Sequence, residues 1–479
     1  MRMLVSHLFP ALVGALLCSP LGAQPQDEAS SETLFIRAEK VIVRPGHVLE
    51  PGQVVVRDGQ IHAVGSALQA PEGATQIDGK VVCAGFIDAW SAMGVDSRAL
   101  NEAATNMATR TADAIDLFSN AHLREEALRA GVTGARVQVG SSAAQSGIGT
   151  FVRLTDASRE NAILLEDSNA AANVGLSREG GGQFIRDADG SFRFVSGPQA
   201  IDPFERLNQV DRLIGAIESG RKYHQDVIEY RYELEEWQKA IKEKEEELEK
   251  DFKKAKKARD KDKKKAEEDG KEYKEKKYSE DKKPKAPKSD PIKHAFGRVA
   301  NGELPLIVQV HRSAEIRALL EGTRKFDRLR LIVAGGTEAG DSAEELKERK
   351  IPVVVWPALL GATGKGEYDE YDQHDLSLAG RLHDAGVQVL IGSGGGVARA
   401  TRDVPIMAAQ AIGHGLDRDA AFRALTLGAA RALDVADRVG SVERGKDADL
   451  LILDGEPLVT TTRVNYVIAG GDVVVSPEN

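Results

Sequence analysis

The sequence predicts an α/β protein in which a long region of alternating strands and helices is flanked by a small β domain built from both chain ends. Both ends contain short apolar strand patterns separated by turn residues, whereas the middle repeats strand-like and helix-like segments. The chain has 479 residues, of which 42% are hydrophobic, so it has ample apolar material for a core and is too long for one ordinary domain.

The first residues have the pattern of an export signal. Arg2 supplies a positive charge, residues 8–17 form an apolar run too short to span a bilayer, and Leu21-Gly22-Ala23 resembles a small-residue cleavage site. We therefore predict a signal peptide over residues 1–23 and an exported protein that is periplasmic or extracellular. A buried N-terminal helix is the alternative, and Pro20 disfavours it.

The two cysteines, Cys18 and Cys83, limit the chemistry of the chain. A lipoprotein anchored through Cys18 is disfavoured by the bulky Leu17 directly before it. Removal of the predicted signal leaves Cys83 alone, which excludes an intramolecular disulfide and a cysteine-based zinc site. No later apolar run is long enough for a transmembrane helix, and the net charge of −10 argues against nucleic acid as a partner.

The two ends of the chain are predicted to form strands of one β domain. In residues 32–84, Asp58-Gly59 has the sequence of a two-residue hairpin turn between apolar strand patterns. Residues 436–479 show similar patterns broken by Gly455 and Gly470-Gly471. The strand candidates are 34–36, 41–43, 54–56, 450–453, 464–468 and 473–475.

The middle of the chain alternates between apolar strand candidates and amphipathic helical patterns. Its strand candidates are 86–87, 132–139, 306–310, 329–333, 353–356 and 387–391. Helical patterns cover residues 313–321 and 342–350. Repeated strand–helix units of this kind indicate a parallel sheet or a barrel.

Residues 205–295 contain a charged helical insertion. From 233 to 288 Lys and Glu dominate, and Trp237 and Ile241 belong to a thin apolar stripe at helical, coiled-coil-like spacing. We predict a long solvated helix or a helical hairpin that fades into a disordered lysine-rich tail. The insertion is either a solvated arm with no partner or an arm that docks another protein.

Three motifs resemble the amidohydrolase superfamily, and most closely its imidazolonepropionase-like group. Residues 82–94 resemble the family strand that normally contains Pro-Gly-Phe-Ile-Asp-x-His-x-His, and here include Gly85-Phe86-Ile87-Asp88. Asp58-Gly59-Gln60-Ile61 resembles the hairpin before that strand. Residues 426–430 and 440–450 resemble the long C-terminal signature of the family.

The resemblance implies a (β/α)8 TIM-like barrel over residues 85–435 and a small β-sandwich from residues 32–84 and 436–479. It also implies a hydrolase that acts on carbon–nitrogen bonds other than peptide bonds, with its catalytic residues at the C-terminal ends of the barrel strands. Family members hold one or two divalent metals, because a bound metal lowers the pKa of water to about 7 and polarises the scissile carbonyl.

Most of the metal-ligand positions that the resemblance implies are vacant. The two first-strand histidines are replaced by Trp90 and Ala92, the sixth-strand histidine by Gly335, and the eighth-strand aspartate by Gly394. His311, after the fifth strand, is the one ligand that survives. A lone histidine is a poor metal site, so a histidine hydrogen-bonded in a vestigial pocket is the alternative.

Other residues near the predicted barrel mouth offer weaker signals. The glycine-rich loop 392–396 follows a strand and could cradle an anion with its backbone amides. The acidic loop 367–375, with His374, could recruit a cation or simply be solvated. Glu338 is predicted to be structural rather than catalytic.

These observations predict an exported amidohydrolase-family protein whose catalysis is impaired, so that no cofactor is expected. An active hydrolase with an unorthodox mononuclear site at His311, using zinc or another divalent metal, is the first alternative. The second is a non-catalytic partner or a small-molecule binding subunit of an active relative, in a homo- or hetero-oligomer. The substrate does not follow from the sequence.

Overall fold

The computed structural model describes residues 33–95, 105–118, 120–139, 144–155, 158–175, 182–186, 192–196, 203–269, 283–357 and 375–477. The predicted signal peptide and most of the acidic loop 367–375, including His374, lie outside the described residues. Within the described part of the chain, no helix combines the length and the apolar character that crossing a membrane requires.

Eighteen strands are described, and many coincide with the predicted patterns. In chain order they are β1 (Leu34–Arg44), β2 (His47–Leu49), β3 (Gly52–Arg57), β4 (Gln60–Gly65), β5 (Thr75–Ala84), β6 (Phe86–Ser91), β7 (Val132–Val137), β8 (Gln145–Arg153), β9 (Ile163–Asn173), β10 (Gly182–Arg186), β11 (Phe192–Ser196), β12 (Leu306–Val310), β13 (Leu331–Gly335), β14 (Val353–Val355), β15 (Val389–Ile391), β16 (Leu450–Leu453), β17 (Val464–Ala469) and β18 (Asp472–Val475).

The described α-helices lie almost entirely in the middle of the chain. They are α1 (Thr111–Ala114), α2 (Ala121–Arg129), α3 (Arg159–Ala162), α4 (Pro203–Asp269), α5 (Pro291–Ala300), α6 (Ser313–Thr323), α7 (Ala343–Glu348), α8 (Leu378–Asp384), α9 (Val404–Gly413), α10 (Arg418–Leu425) and α11 (Leu427–Ala432). Short 3-10 helices cover Ala339–Ser342 and Ala398–Asp403.

The two chain ends form one eight-stranded sheet, in the order β18-β17-β16-β5-β1-β3-β4 with β2 paired to β1. Strand β16 pairs antiparallel with β5, which joins the C-terminal segment to the N-terminal one. Successive side chains of a strand point to opposite faces of the sheet, so those of β5 and β16 enter two different hydrophobic cores in turn. Thus Val82 and Ile452 pack within the β domain, whereas Cys83 and Leu451 pack towards the barrel.

The predicted hairpin at Asp58-Gly59 is confirmed. Both residues have positive φ, at 53° and 73°, as a two-residue type I′ turn requires. A Cβ at Gly59 would lie 2.7 Å from the carbonyl oxygen of Gly470, because this turn packs directly on the turn between β17 and β18. Glycine is therefore needed at Gly59 for space as well as for backbone conformation.

The middle of the chain forms a nearly closed eight-stranded barrel, in the order β15-β14-β13-β12-β9-β8-β7-β6. Seven strands run in one direction, but β8 is antiparallel to both β7 and β9. The segments 138–144 and 154–162 are too short for the crossover that parallel neighbours need. The barrel fold is thus confirmed, with one reversed strand that the resemblance does not imply.

Side chains at the seam complete the barrel between β6 and β15. An Asp88 carboxylate oxygen accepts a hydrogen bond from the backbone N–H of Ser393 at 2.9 Å, and the Ser393 hydroxyl donates to the carbonyl of Trp90 at 3.0 Å. The barrel interior beneath these hydrogen bonds is apolar and includes Ile87, Phe151 and Ile307. The barrel is therefore a packed core rather than a pore.

The charged insertion begins as a helix of the barrel. Near the start of α4, Val210 and Ile217 are almost fully buried, and Gly220 lies against Phe296 of α5. The same helix then continues as one 67-residue element into the charged segment, where most side chains between 225 and 244 are exposed or half-buried. A length of roughly 100 Å follows from the rise per residue of an α-helix.

Asp167 on β9 joins two arginines and provides a pH-dependent contribution to stability. It accepts from Arg110 at 2.9 Å and from Arg298 of α5 at 2.7 Å. Burial alone would raise the pKa of Asp167, but the hydrogen bonds from Arg298 and Arg110 together hold it below its ordinary value of 3.8. This contribution is therefore complete at neutral pH and is lost as the pH falls through the folded-state pKa.

We expect the variant Asp167→Asn to lower the free energy of unfolding by roughly 1–2 kcal/mol at pH 7, and the deficit to shrink as the pH approaches 3. Urea unfolding at several pH values measures this difference. The exposed Asp78, which pairs with Arg37, is the matched control and should show little effect as Asp78→Asn. A deficit that is independent of pH would contradict the assignment.

Candidate ligand site at the barrel mouth

The C-terminal ends of the parallel strands bring the sequence-predicted site residues to one face of the barrel. Trp90 is on β6, His311 directly follows β12, and Gly335 ends β13. Gly394 lies in the loop after β15, and Trp356 directly follows β14. The fold therefore gathers His311 and the positions at which the resemblance implies metal ligands around one mouth.

His311 is buried, with 3% of its surface exposed, and is held by neutral partners. Its Nδ1 lies 2.8 Å from the hydroxyl of Thr337, and its Nε2 lies 3.4 Å from the amide nitrogen of Gln309. The ring also makes an edge contact with Trp356, at 5.7 Å between centroids. Such contacts fix the imidazole in the wall of the barrel mouth.

The ring of His311 fills the space beside Gly335. A Cβ at Gly335 would lie 2.4 Å from Cε1 of His311, which is far inside van der Waals contact. Gly335 also has a φ of +83°, a backbone conformation that residues with a side chain rarely adopt. The position at which the resemblance implies a second histidine is thus closed to any side chain.

Trp90 fills the place of the first implied ligand. It is 1% exposed, and its indole ring stacks under the guanidinium of Arg136, whose Cζ lies 4.3 Å from the ring centroid. On another side, a Cβ at Gly395 would lie 2.3 Å from the indole nitrogen. The glycine-rich loop predicted to cradle an anion therefore makes room for Trp90. Ala92, the second vacant position, is buried at 3% exposure.

Gly394 has positive φ, at +89°, but has more space around it than Gly335. The atoms nearest to a Cβ there would be those of the Trp356 ring, at 3.4 Å, which is an ordinary van der Waals contact. The position of the missing aspartate is thus sterically open, while its backbone disfavours a side chain.

A buried polar layer surrounds Arg136 on β7, and sequence reasoning missed it. The guanidinium Nε donates to Asn169 of β9 at 2.7 Å, and one amino group donates to the amide oxygen of Gln138. Gly149 of β8 leaves room for this network, because a Cβ there would lie within 3.0 Å of all three side chains. The signal available was the pair Arg136 and Gln138, two positions apart in the apolar run 132–139, because a strand directs such residues to one face.

Arg136 and Asp88 are the charged residues at the centre of this region. Burial lowers the pKa of Arg136 to about 9, and the nearby carboxylate of Asp88 partly offsets that effect. Burial likewise raises the pKa of Asp88 above its ordinary value, despite hydrogen bonds from Ser393 and Trp90. One oxygen of Asp88, Oδ1, accepts from backbone N–H groups and so stabilises the seam of the barrel.

The described residues do not fit the divalent metal that the resemblance implies. Across the part of the chain that the structure describes, no group of three or more His, Cys, Asp or Glu side chains could hold a metal ion. Gln309, Thr337 and Trp356 are among the side chains that contact His311, and the ring of His311 fills the space beside Gly335.

Glu338 has a structural contact rather than a place in the mouth. Its carboxylate accepts a hydrogen bond from the backbone N–H of Ser313 at 2.7 Å, at the start of α6. This satisfies one of the free donors of the helix terminus and places a negative charge where the helix dipole favours it.

Comparison with solved structures shows the fold of amidohydrolase barrels. An amidohydrolase from Thermotoga maritima MSB8 matches with a TM-score of 0.64 and 21% identity, covering 92% of this chain and 100% of the other. The ochratoxinase of A. niger matches with a TM-score of 0.51 and 18% identity, covering 94% and 96%. Molinate hydrolase matches with a TM-score of 0.51 and 14% identity, covering 93% and 95%.

The C-terminal part of the sequence carries the family match. Residues 311–474 match the sequence model described as the Amidohydrolase family, whereas no curated protein matches the chain. The matched segment begins at His311 and includes the signature residues 440–450 predicted from the sequence. By its fold and by the match over residues 311–474, the chain resembles the amidohydrolase family.

Proposed function

We propose that this chain is an exported amidohydrolase-family protein that has lost metal-dependent hydrolysis and uses its barrel mouth for binding. The observation that carries the proposal is the packing of His311 into the space beside Gly335, which leaves no room for a second imidazole. Trp90 supports it from the other side, because its ring occupies the interior where the first-strand ligands are implied.

The rival function is hydrolysis at a mononuclear site built on His311. Such a site needs further ligands, and two side chains within 3.4 Å of the imidazole are the neutral Gln309 and Thr337. Imidazole with amide and hydroxyl neighbours is a weak donor set for zinc, which is typically bound by thiolate, imidazole and carboxylate. The geometry therefore favours the non-hydrolytic function.

We expect the purified mature protein to contain substoichiometric zinc after dialysis and to show no change in zinc content in the variant His311→Ala. Elemental analysis with zinc titration calorimetry measures both. The variant Thr337→Val, which removes only a partner of His311, is the matched control. One zinc per chain that disappears in His311→Ala would establish the mononuclear site and overturn the proposal.

Export remains a proposal that rests on residues 1–23. Sequencing the amino terminus of the protein recovered from outside the cytoplasm tests it, with a start near Gln24 expected. An association with a catalytically complete relative, through the charged part of α4, also stays a prediction.

A further inference from the structure

Three buried side chains near the barrel mouth have polar atoms without a hydrogen-bond partner among the described residues. They are the indole nitrogen of Trp90, the Nη1 of Arg136 and the amide oxygen of Gln309. The three residues are 1%, 0% and 3% exposed, and they lie on β6, β7 and β12. Buried polar groups are nearly always satisfied in native proteins, so unpaired donors and acceptors in one region indicate a missing occupant.

Contacts between neighbours connect these residues around the mouth. Arg136 stacks on Trp90, and Trp90 lies against Gly395. A Cβ at the adjacent Gly394 would lie 3.4 Å from the ring of Trp356. Trp356 contacts the ring of His311, which in turn lies beside Gln309. The unpaired atoms therefore belong to one ring of side chains rather than to separate parts of the core.

The charge in this ring is positive and is not neutralised by contact. Nε and one amino group of Arg136 are used by the neutral side chains of Asn169 and Gln138. Asp88 acts on the guanidinium through its charge and not through a hydrogen bond. The N–H groups of Trp90 and Ser393 both donate to its Oδ1, and its buried Oδ2 has no hydrogen-bond partner among the described residues. A buried cation without a hydrogen-bonded counter-ion is costly, so an anionic occupant would stabilise this arrangement.

We propose that the barrel mouth binds a small carboxylate anion through the free amino group of Arg136 and the indole N–H of Trp90. The two N–H donors can each bind one of the two oxygens of a carboxylate. A hydrogen bond between a charged donor and a charged acceptor is also stronger than one between neutral groups. The amide oxygen of Gln309 offers an acceptor to a hydroxyl or ammonium group on the same ligand. The guanidinium remains charged at neutral pH, as its pKa of about 9 requires.

This inference rests on the proposed loss of metal, because a zinc ion at the mouth would itself bind carboxylates. The experiment therefore uses the full mature protein in EDTA and compares sodium acetate with sodium chloride at equal ionic strength. We expect acetate to raise Tm by about 2–4 °C more than chloride does. A shift of this size is expected when a ligand saturates a binding site on the folded state.

Variants localise the effect. Trp90→Phe keeps an aromatic ring under Arg136 and removes the indole N–H, and it should weaken acetate binding by about tenfold in calorimetry. Trp237→Phe, on the distant part of α4, is the matched control and should bind as the wild type does. Arg136→Met should abolish the acetate shift, and Trp90→Phe keeps the test decisive if Arg136→Met does not fold.

Two results would overturn the inference. One is an acetate shift no larger than the chloride shift, and the other is undiminished acetate binding by Trp90→Phe. Zinc found by elemental analysis, with acetate binding that disappears in EDTA, would instead refute the proposed loss of metal. The two proposals thus fail in distinguishable ways.

Discussion

Replacing Arg153 by methionine is expected to lower the free energy of unfolding by about 3–5 kcal/mol, the usual cost of breaking a buried ion pair from one side. Arg153, on the reversed strand β8, donates from Nε to Asp449 at 2.8 Å and from a terminal amino group to Asp447. The three side chains are only 5–10% exposed. The substitution would leave the carboxylate of Asp449 buried without its guanidinium partner.

Chemical denaturation of Arg153→Met against the wild type measures this loss. Arg37→Met is the matched control, because Arg37 makes a similar two-bond contact with Asp78 in which both side chains are mostly exposed. Solvent screens such a pair, so the control should change stability far less. Equal effects of the two variants would show that the buried cluster contributes nothing beyond an exposed ion pair.

The second large effect is expected for Gly335→Ala, which should lower the free energy of unfolding clearly more than Gly394→Ala does. Both glycines have positive φ, at 83° and 89°, so both alanine variants lose roughly 1–2 kcal/mol to backbone strain. At Gly335 the new methyl group also meets the His311 ring at 2.4 Å, which adds about 1–3 kcal/mol of overpacking. At Gly394 the methyl group makes an ordinary contact with Trp356, at 3.4 Å.

Thermal and urea unfolding of the two variants provide the comparison. The double variant Gly335→Ala with His311→Ala separates strain from crowding, because removal of the imidazole should restore the overpacking part of the loss. If Gly335→Ala and Gly394→Ala were equally stable, the space beside Gly335 would not be filled by His311, and the argument against a second histidine would fail.

Local signals were sufficient for much of the fold. The Asp58-Gly59 turn and the alternating strands at both ends depend on neighbouring residues, so their prediction did not need tertiary information. The apolar runs of β12 to β15 were similarly clear. The motifs that resemble the amidohydrolase superfamily then predicted that these strands assemble into a barrel.

The remaining features depend on contacts that are distant in the sequence. Strand β8 has a weak apolar pattern with Gly147 and Gly149, and its reversal follows from short connections rather than from its own residues. Arg136 would ordinarily be taken for a surface residue, because arginines are seldom fully buried. The sequence shows a glycine at position 335, but it does not show that the ring of His311 occupies the space beside it.

The pairing of β16 with β5 has a consequence for biosynthesis. Residues 75–84 acquire this neighbour only when residues 450–453 have been made. At ribosomal rates of 5–20 residues per second the edge of β5 would wait roughly 20–70 s for its partner. An apolar strand edge left open for that time is a template for aggregation, so the nascent chain should depend on chaperones until residues 450–453 emerge.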